Sequence, residues 1–318
     1  MNRGWIYRDR VAAADAGRSI CHWYAERHRH SSLATWQQRL QLGEIRLNGE
    51  PPRADHCLSS GDQLTWHRPP WQEEAVPLDW QVIFDNGDLL VINKPSGLPV
   101  LPAGGFLEHT LLHQLEQQHQ HDPLGLPRPV HRLGRHTSGL LVCARQSSTR
   151  AWLSALLRES TAAGSVASPG RCLKLYRALT VPLSPDWLVA ASRPLTTSIG
   201  RRPHPLLGEI WCAVDTNDPG ALAASSQLTL LERRHGACLV EVAIGSGRPH
   251  QIRIHAAAAG APLFGDPLYG PGGMARPEAL PGAGGYQLHA HQISLPSRAG
   301  ELHKWTAPLP PAMRAQGL

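Results

Sequence analysis

The chain has 318 residues, enough for one large domain and a smaller one, and its 42% hydrophobic and 18% charged residues are ordinary for a soluble globular protein. Its apolar runs are too short to span a bilayer, and the N-terminal arginines are not followed by a hydrophobic segment of signal-peptide length. We therefore expect a cytoplasmic protein without a membrane partner. Its six cysteines include no CxxC pair, which argues against a disulfide framework, and its net charge of +6 favours a polyanionic partner.

Two helices and a hairpin are predicted near the start of the chain. A helical pattern covers residues 12–30, and a second, shorter helix ends at Gly43. An alternating strand then reaches Asn48-Gly49, the strongest short hairpin signal, and a later Gly-Asp turn precedes another strand. We therefore expect a compact α+β module over residues 1–67, followed by a Pro-rich linker over residues 68–80.

Short strands joined by tight turns dominate from residue 81 onward. Two apolar strands flank the Asn86-Gly87 turn, and residues 108–120 follow a helical pattern. Several strands come later, and the segment RPHQIRIHAAAAG (248–260) is interpreted as a strand that runs into a helix. Residues 81–318 are therefore predicted to form one α+β domain, with a mainly antiparallel mixed sheet flanked by helices.

The excess positive charge is concentrated in the predicted large domain. Through residue 80 the ten basic and ten acidic side chains balance, so the rest of the chain carries the whole excess. The window Pro123–Arg158 has no Asp or Glu, which favours binding of phosphate groups. The alternative is that its arginines only reflect the composition of the whole chain, which has 28 Arg and 3 Lys. The arginines of this window are Arg128, Arg132, Arg135, Arg145, Arg150 and Arg158.

Paired histidines could share one face of a strand and hold a metal ion, as with His289 and His291. No third ligand stands at a telling spacing, and surface histidines are the commoner case. We therefore predict no metal site.

A set of motifs in the second part of the chain resembles the RluA-type pseudouridine synthases. The motifs follow the family's order over residues 81–310, and FDNGDLLVINKPSGLPVLP resembles the family's opening strand pair. The first 67 residues resemble, more weakly, the small helix-hairpin RNA-binding module of ribosomal small-subunit proteins, through LQLGEIRLNGE and LSSGDQL. The main motifs are PVHRLGRHTSGLLVCAR, KLYRAL, GSGRPHQIRIHAAAAGAPLFGDPLYG and YQLHAHQISLP.

The resemblance implies a pseudouridine synthase fold and an enzyme that converts uridine within an RNA chain into its C-glycoside isomer without a cofactor. The target base must leave the RNA stack, which needs a groove for phosphates and side chains that fill the gap. The implied partner is a structured RNA, either ribosomal or transfer RNA, bound by a monomer.

The resemblance also assigns roles to individual residues. Tyr176 matches the tyrosine that packs against the target base and assists proton removal from C5, and Arg253 matches the arginine that pairs with the catalytic carboxylate. Within the predicted RNA-facing set, His136 would also scaffold its loop, and Lys94 could equally stabilise a turn. That set comprises Arg132, Arg135, His136, Lys94, Arg248 and His250.

The motif departs from the family at its most important position. The family reads HRLD, with the aspartate as the nucleophile or base at the glycosidic centre, whereas this chain has Gly134. Loss of a nucleophile from an otherwise intact site commonly costs about 10⁶ in rate. The nearest acids in sequence are Asp122 and Glu159. Asp266 is the best distant substitute, but the favoured interpretation is a turn-forming aspartate before Pro267.

Two functions therefore remain open from the sequence. The first is a working pseudouridine synthase that acts through another carboxylate. The second is a catalytically silent protein on a synthase scaffold, which binds RNA and assists its folding or assembly. Family descent favours the first function, and the chemistry at Gly134 favours the second.

Overall fold

The structure, a computed structural model, describes residues 1–162 and 172–314. The chain divides into two compact units, one of Met1–Glu73 with Pro203–Gly208 and the other of Glu74–Arg202 with Glu209–Leu318. Within the described ranges, every helix is too short or too polar to cross a bilayer.

The N-terminal unit is a three-stranded antiparallel sheet with two helices. The strands are ordered β1-β3-β2, so the middle strand pairs with both others. Its core is aromatic: Trp36 is fully buried, and its ring stacks on that of Tyr24 with the centroids 4.6 Å apart. The elements are β1 (Trp5–Arg10), α1 (Ile20–Arg27), α2 (Leu33–Gln41), β2 (Ile45–Leu47) and β3 (Gln63–Arg68).

The first predicted helix is shorter than its sequence pattern. Ser19 is extended and its side chain accepts a hydrogen bond from the backbone N–H of His22, which makes it the N-cap of a helix that begins only at Ile20. Ala13–Asp15 forms a 3₁₀ turn, and strand β1, which the sequence pattern did not indicate, precedes it. The second helix is confirmed, and Gly43 follows it with a φ of 71°.

The larger unit is built on a ten-stranded sheet of order β4-β5-β7-β14-β8-β13-β12-β9, with β15 added to β14 and β6 to β7. The pairing of β7 with β14 is parallel, and the other pairings between the described strands of this sheet are antiparallel, as predicted. The strands of this sheet are β4 (Gln81–Asp85), β5 (Leu89–Lys94), β6 (Arg128–Pro129), β7 (Thr137–Ala144), β8 (Leu173–Thr180), β9 (Ser192–Leu195), β12 (Ser226–Arg234), β13 (Ala237–Ile244), β14 (Leu288–Pro296) and β15 (Leu302–Thr306). A separate two-stranded sheet pairs β10 (Ser198–His204) with β11 (Gly208–Val214). The helices are α3 (Leu111–Gln118), α4 (Ser147–Ala162) and α5 (Gln251–Ala258).

The centre of this sheet is where β14 lies between β7 and β8. All eight residues of β7 are buried, and its register pairs Thr137 with Leu288. Gly139 has a φ of 100°, and a Cβ there would collide with the backbone of Ala290, so the close approach of β7 and β14 requires glycine. This register brings the loop before β7 beside the segment that leads into β14.

The segment 248–260 is helical, which corrects the interpretation of its first half as a strand. Helix α5 begins at Gln251, after His250, which adopts a left-handed φ of 54°. The alternating Ile252 and Ile254 imitate the two-residue period of a strand, but every residue from Gln251 to Ala257 is buried. A helix buried on all sides shows no amphipathic pattern, so the sequence could not distinguish it from a strand.

Candidate active site

A cavity of about 720 Å³ opens beside the loop that precedes β7. Its walls come from this loop, from α4, from β8, from the end of β13, from the start of α5 and from the segment that leads into β14, elements that are distant in sequence. Six of the residues selected from the sequence line it together: Arg132, Gly134, Tyr176, Arg248, His250 and Arg253.

The cavity wall is cationic. Arg132 and Arg158 are exposed, whereas Lys174 is more deeply placed, and its burial lowers the pKa of its ammonium group. Among the described lining residues there is no Asp or Glu. Such a surface suits phosphate oxygens, which accept charge-assisted hydrogen bonds from arginine and lysine.

Gly134 borders the cavity, and the space beside its Cα is already occupied. A Cβ added at this position would collide with the hydroxyl oxygen of Tyr286 and would lie 3.4 Å from Thr137 Oγ1. Tyr286 is 3% exposed, and its hydroxyl oxygen lies 3.3 Å from that of Thr137. The place of a residue-134 side chain is therefore taken by a tyrosine hydroxyl.

Arg253 has a carboxylate partner in spite of Gly134. Its Nε and Nη2 each donate to an Asp266 carboxylate oxygen at 2.7 Å, and Nη1 donates to the carbonyl of Pro281 at 3.1 Å. Burial is the largest single influence and opposes the charge of Arg253, but the hydrogen bonds to Asp266 and the electrostatic interactions with Tyr286, Asp266 and Tyr269 together raise the pKa of the guanidinium. The buried arginine is thus neutralised by a residue of another loop.

Asp266 is the turn-forming residue that the alternative interpretation expected. Besides binding Arg253, it accepts hydrogen bonds from the backbone N–H groups of Leu268 and Tyr269 at 2.9 and 3.3 Å. It is not among the described residues that line the cavity. Its carboxylate oxygens are already engaged, so the interpretation of Asp266 as a substitute for the catalytic carboxylate is corrected.

The acids nearest to Gly134 in sequence do not supply a carboxylate either. Asp122 lies 2.8 Å from the Nδ1 atom of His119 and 3.5 Å from Arg145, and it is not among the described cavity residues. The side chain of Glu159 lies outside the described residues.

Tyr176 and His250 both lie at the cavity. Burial raises the pKa of the Tyr176 hydroxyl, so this side chain enters the site as a neutral phenol. Tyr269 donates its hydroxyl proton to the carbonyl of Trp211, so His250 Nδ1–H donates to the Tyr269 oxygen at 2.6 Å. Burial, with a smaller contribution from Arg253, lowers the pKa of His250 to about 4, so the ring is neutral at pH 7 and its Nε2 carries the lone pair.

Three of the predicted RNA-facing residues, Lys94, Arg135 and His136, are not among the described residues that line the cavity. Lys94 is fully buried, and its ammonium group donates to the carbonyls of Pro95, Leu98 and Arg135 at 2.8 to 3.0 Å, which corrects its assignment as an RNA contact. Arg135 binds Glu74 at 2.7 Å and Gly97 O at 3.0 Å.

His136 is half-buried, and its Nε2–H donates to the carbonyl of Gly282 at 3.2 Å. This contact ties the loop before β7 to the segment that leads into β14. It matches the scaffolding role proposed for His136, and neither His136 nor Arg135 is among the described cavity residues.

Among the cavity residues that sequence reasoning did not assign to the site are Lys174, Arg158 and Tyr286. Lys174 stands two positions before Tyr176 and so shares its face of β8, a signal that strand periodicity could have revealed. Arg158 was counted only as part of the acid-free window. Tyr286 gave no signal of its own, because only the β7–β14 register brings it to Gly134.

Comparison with known proteins gives a consistent result. The family model for RNA pseudouridylate synthase matches residues 88–258. An uncharacterized RNA pseudouridine synthase of Synechocystis sp. is 40% identical over 92% of this chain and 94% of its own length. RNA pseudouridine synthase 5 of Arabidopsis thaliana is 35% identical, with 99% and 95% of the two chains covered.

The solved structures agree on the fold. Human RNA pseudouridylate synthase domain containing 1 superimposes with a TM-score of 0.55 at 22% identity, over 76% of this chain and 89% of that one. Human RNA pseudouridylate synthase domain containing 4 superimposes with a TM-score of 0.54 at 22% identity, over 73% of this chain and 89% of that one.

Proposed function

Because this chain belongs to the RNA pseudouridine synthase family, we propose that it binds structured RNA and receives a uridine, turned out of the RNA stack, in the cavity around Gly134. The cationic lining supports contact with the phosphates on either side of that uridine, and Tyr176 supplies a flat face for its base. We place the protein in the cytoplasm, a reducing compartment that its six free cysteines support.

The proposed outcome of binding is retention of the uridine rather than its isomerisation. The observation that carries this proposal is the cavity lining, in which the described residues include no carboxylate and the Tyr286 hydroxyl lies where the side chain of residue 134 would begin. The family's reaction uses an aspartate there, and loss of such a group costs about 10⁶ in rate. An RNA-binding or RNA-folding role needs the cavity and its cations but no nucleophile.

Isomerisation of uridine to pseudouridine is the second candidate. Two observations favour it: Tyr176 and Arg253 both line the cavity, and the relatives that are 35–40% identical are named RNA pseudouridine synthases. It would need a carboxylate from outside the described lining, or a different group at the glycosidic centre.

The RNA-binding proposal predicts that Arg132→Gln weakens the affinity for structured RNA by about three- to tenfold. Each arginine–phosphate contact releases counterions, so the same change should reduce the slope of log Kd against log salt by about one. Electrophoretic mobility shifts at several salt concentrations measure both quantities. Arg298→Gln is the matched control, because Arg298 is also exposed but lies over Trp152, away from the cavity.

Equal losses in Arg132→Gln and Arg298→Gln would contradict the cavity as the RNA site, because only a non-specific charge effect would then remain. A flat response of wild-type affinity to salt would count against phosphate contacts altogether.

Pseudouridine mapping distinguishes the two candidate functions. Carbodiimide treatment and primer extension across total RNA, from cells with and without the gene, should give the same modification pattern if the protein only binds. A uridine that loses its modification on deletion would overturn retention and establish turnover. An unchanged pattern, together with tight binding by the purified protein, would overturn isomerisation.

A further inference from the structure

We propose that Tyr286 and Thr137 form a neutral hydroxyl subsite that hydrogen-bonds a donor–acceptor group of the nucleotide in the cavity. This inference rests on the proposed function and specifies what replaces the missing side chain at Gly134. Here the two hydroxyls are called the hydroxyl pair. Both residues line the cavity, although neither belongs to the set selected from the sequence.

The position of the hydroxyl pair follows from the collision at Gly134. The added Cβ would overlap the Tyr286 oxygen, while the ring carbon that bears that oxygen, Cζ, would lie 3.6 Å away, an ordinary contact distance. The hydroxyl oxygen alone therefore occupies the place where residue 134 would start its side chain. Because Gly134, Thr137 and Tyr286 all line the cavity, the oxygen stands at the boundary between the loop and the cavity.

The neighbours of Tyr286 fix its ring. The Arg253 guanidinium lies over the ring at 4.1 Å, and Arg253 is itself held by the two hydrogen bonds to Asp266. The ring of His136 meets Tyr286 edge-on, with the centroids 5.8 Å apart. A hydroxyl held in this way is already oriented before a ligand arrives, which reduces the entropic cost of binding.

The hydrogen-bonding capacity of the hydroxyl pair defines the chemistry of its ligand. The two oxygens lie 3.3 Å apart, so when one donates to the other a single proton and several lone pairs remain for a ligand. This pattern complements a group that both donates and accepts. In an RNA nucleotide the ribose 2′-hydroxyl and the N3–H and O4 edge of uracil fit it, whereas phosphate oxygens only accept and fit the cations elsewhere in the cavity.

The Tyr286→Phe variant tests the subsite, because it removes the oxygen and keeps the ring. Three 12-mer probes are compared: oligouridylate RNA, the same sequence with 2′-deoxyribose, and oligo(3-methyluridylate) RNA, in which a methyl group replaces the N3–H donor. Wild-type protein is expected to prefer oligouridylate RNA over at least one of the others. Tyr286→Phe should weaken binding of oligouridylate RNA by about three- to tenfold and abolish that preference, since one hydrogen bond is lost.

Loss of the preference against deoxyribose assigns the ribose as the partner, and loss of the preference against 3-methyluridine assigns the base edge. Thr229→Val is the matched control, because it removes a hydroxyl that donates to Ser192 Oγ at 2.9 Å and is not among the described cavity residues, and it should bind all three probes like the wild type. The subsite is overturned if Tyr286→Phe keeps every preference, or if the wild type binds all three probes equally. Failure of the wild type to bind any 12-mer also overturns the subsite, whereas failure to bind structured RNA in the mobility-shift experiment would overturn the proposed function.

Discussion

The contact between Gly134 and the Tyr286 hydroxyl is the residue-level feature that separates this cavity from one with a carboxylate. Gly134→Asp should lower the free energy of unfolding by about 1–3 kcal/mol, because the new side chain overpacks against a fixed ring. In a Tyr286→Phe background the same change should cost clearly less, since the obstructing oxygen is gone. Urea denaturation of the four proteins in this double-mutant cycle measures the difference.

Attraction between the introduced carboxylate and the cavity cations is present in both backgrounds, so the difference reports the net interaction of the new side chain with the Tyr286 hydroxyl. Gly105→Asp is the control, because a Cβ at that exposed glycine meets no atom within 4 Å, and it should be almost neutral. Equal destabilisation by Gly134→Asp in both backgrounds would contradict the collision.

At the scale of elements, Lys94 connects the end of β5 to the loop before β7. Its ammonium group satisfies three carbonyls, and burial lowers the pKa of Lys94 to about 7. Lys94→Met should lower the free energy of unfolding by about 1–3 kcal/mol, because those carbonyls lose their donors. Urea denaturation measures the loss, and RNA affinity below the transition should stay within about twofold of wild type.

Lys304→Met provides the matched control, since Lys304 is an exposed residue of β15 and its loss should leave stability nearly unchanged. The opposite pattern for Lys94→Met, with weakened RNA binding and unchanged stability, would show that Lys94 does contact RNA.

At the scale of the whole molecule, buried histidines make the fold sensitive to acid. Burial, with a smaller contribution from His291, lowers the pKa of His289 to about 4, below its usual value of 6.5. Between these two pH values His289 is protonated in the unfolded chain but not in the folded one. The free energy of unfolding therefore decreases as the pH falls from about 6.5 towards 4. Urea midpoints measured across this range should decline, and His289→Gln should flatten part of the decline.

His121→Gln is the control for this experiment, because His121 is exposed and its removal should leave the pH dependence unchanged. A decline of the same steepness in His289→Gln and wild type would show that other groups cause the acid sensitivity.

Much of the fold followed from local sequence. The Asn86-Gly87 turn predicted the pairing of β4 with β5, and the motifs around Gly134, Tyr176 and Arg253 predicted three positions that the structure brings to one cavity. These patterns are local: a turn needs particular backbone conformations, and a strand buries alternate side chains. Part of helix α5 was misread as a strand because a helix that is buried on all sides shows no amphipathic period, and Ile252 and Ile254 imitate the alternation of a strand.

Tertiary structure alone decided which side chains contact Gly134 and Arg253. The sequence by itself determined that residue 134 has no side chain, but not that Tyr286 fills its place or that Asp266 neutralises Arg253. The first contact joins two loops and the second joins helix α5 to the loop after it, and they form only when β7 and β14 take their register and α5 packs beside them. The chemical environment of position 134 therefore depends on residues that are distant in sequence and that the fold brings next to it.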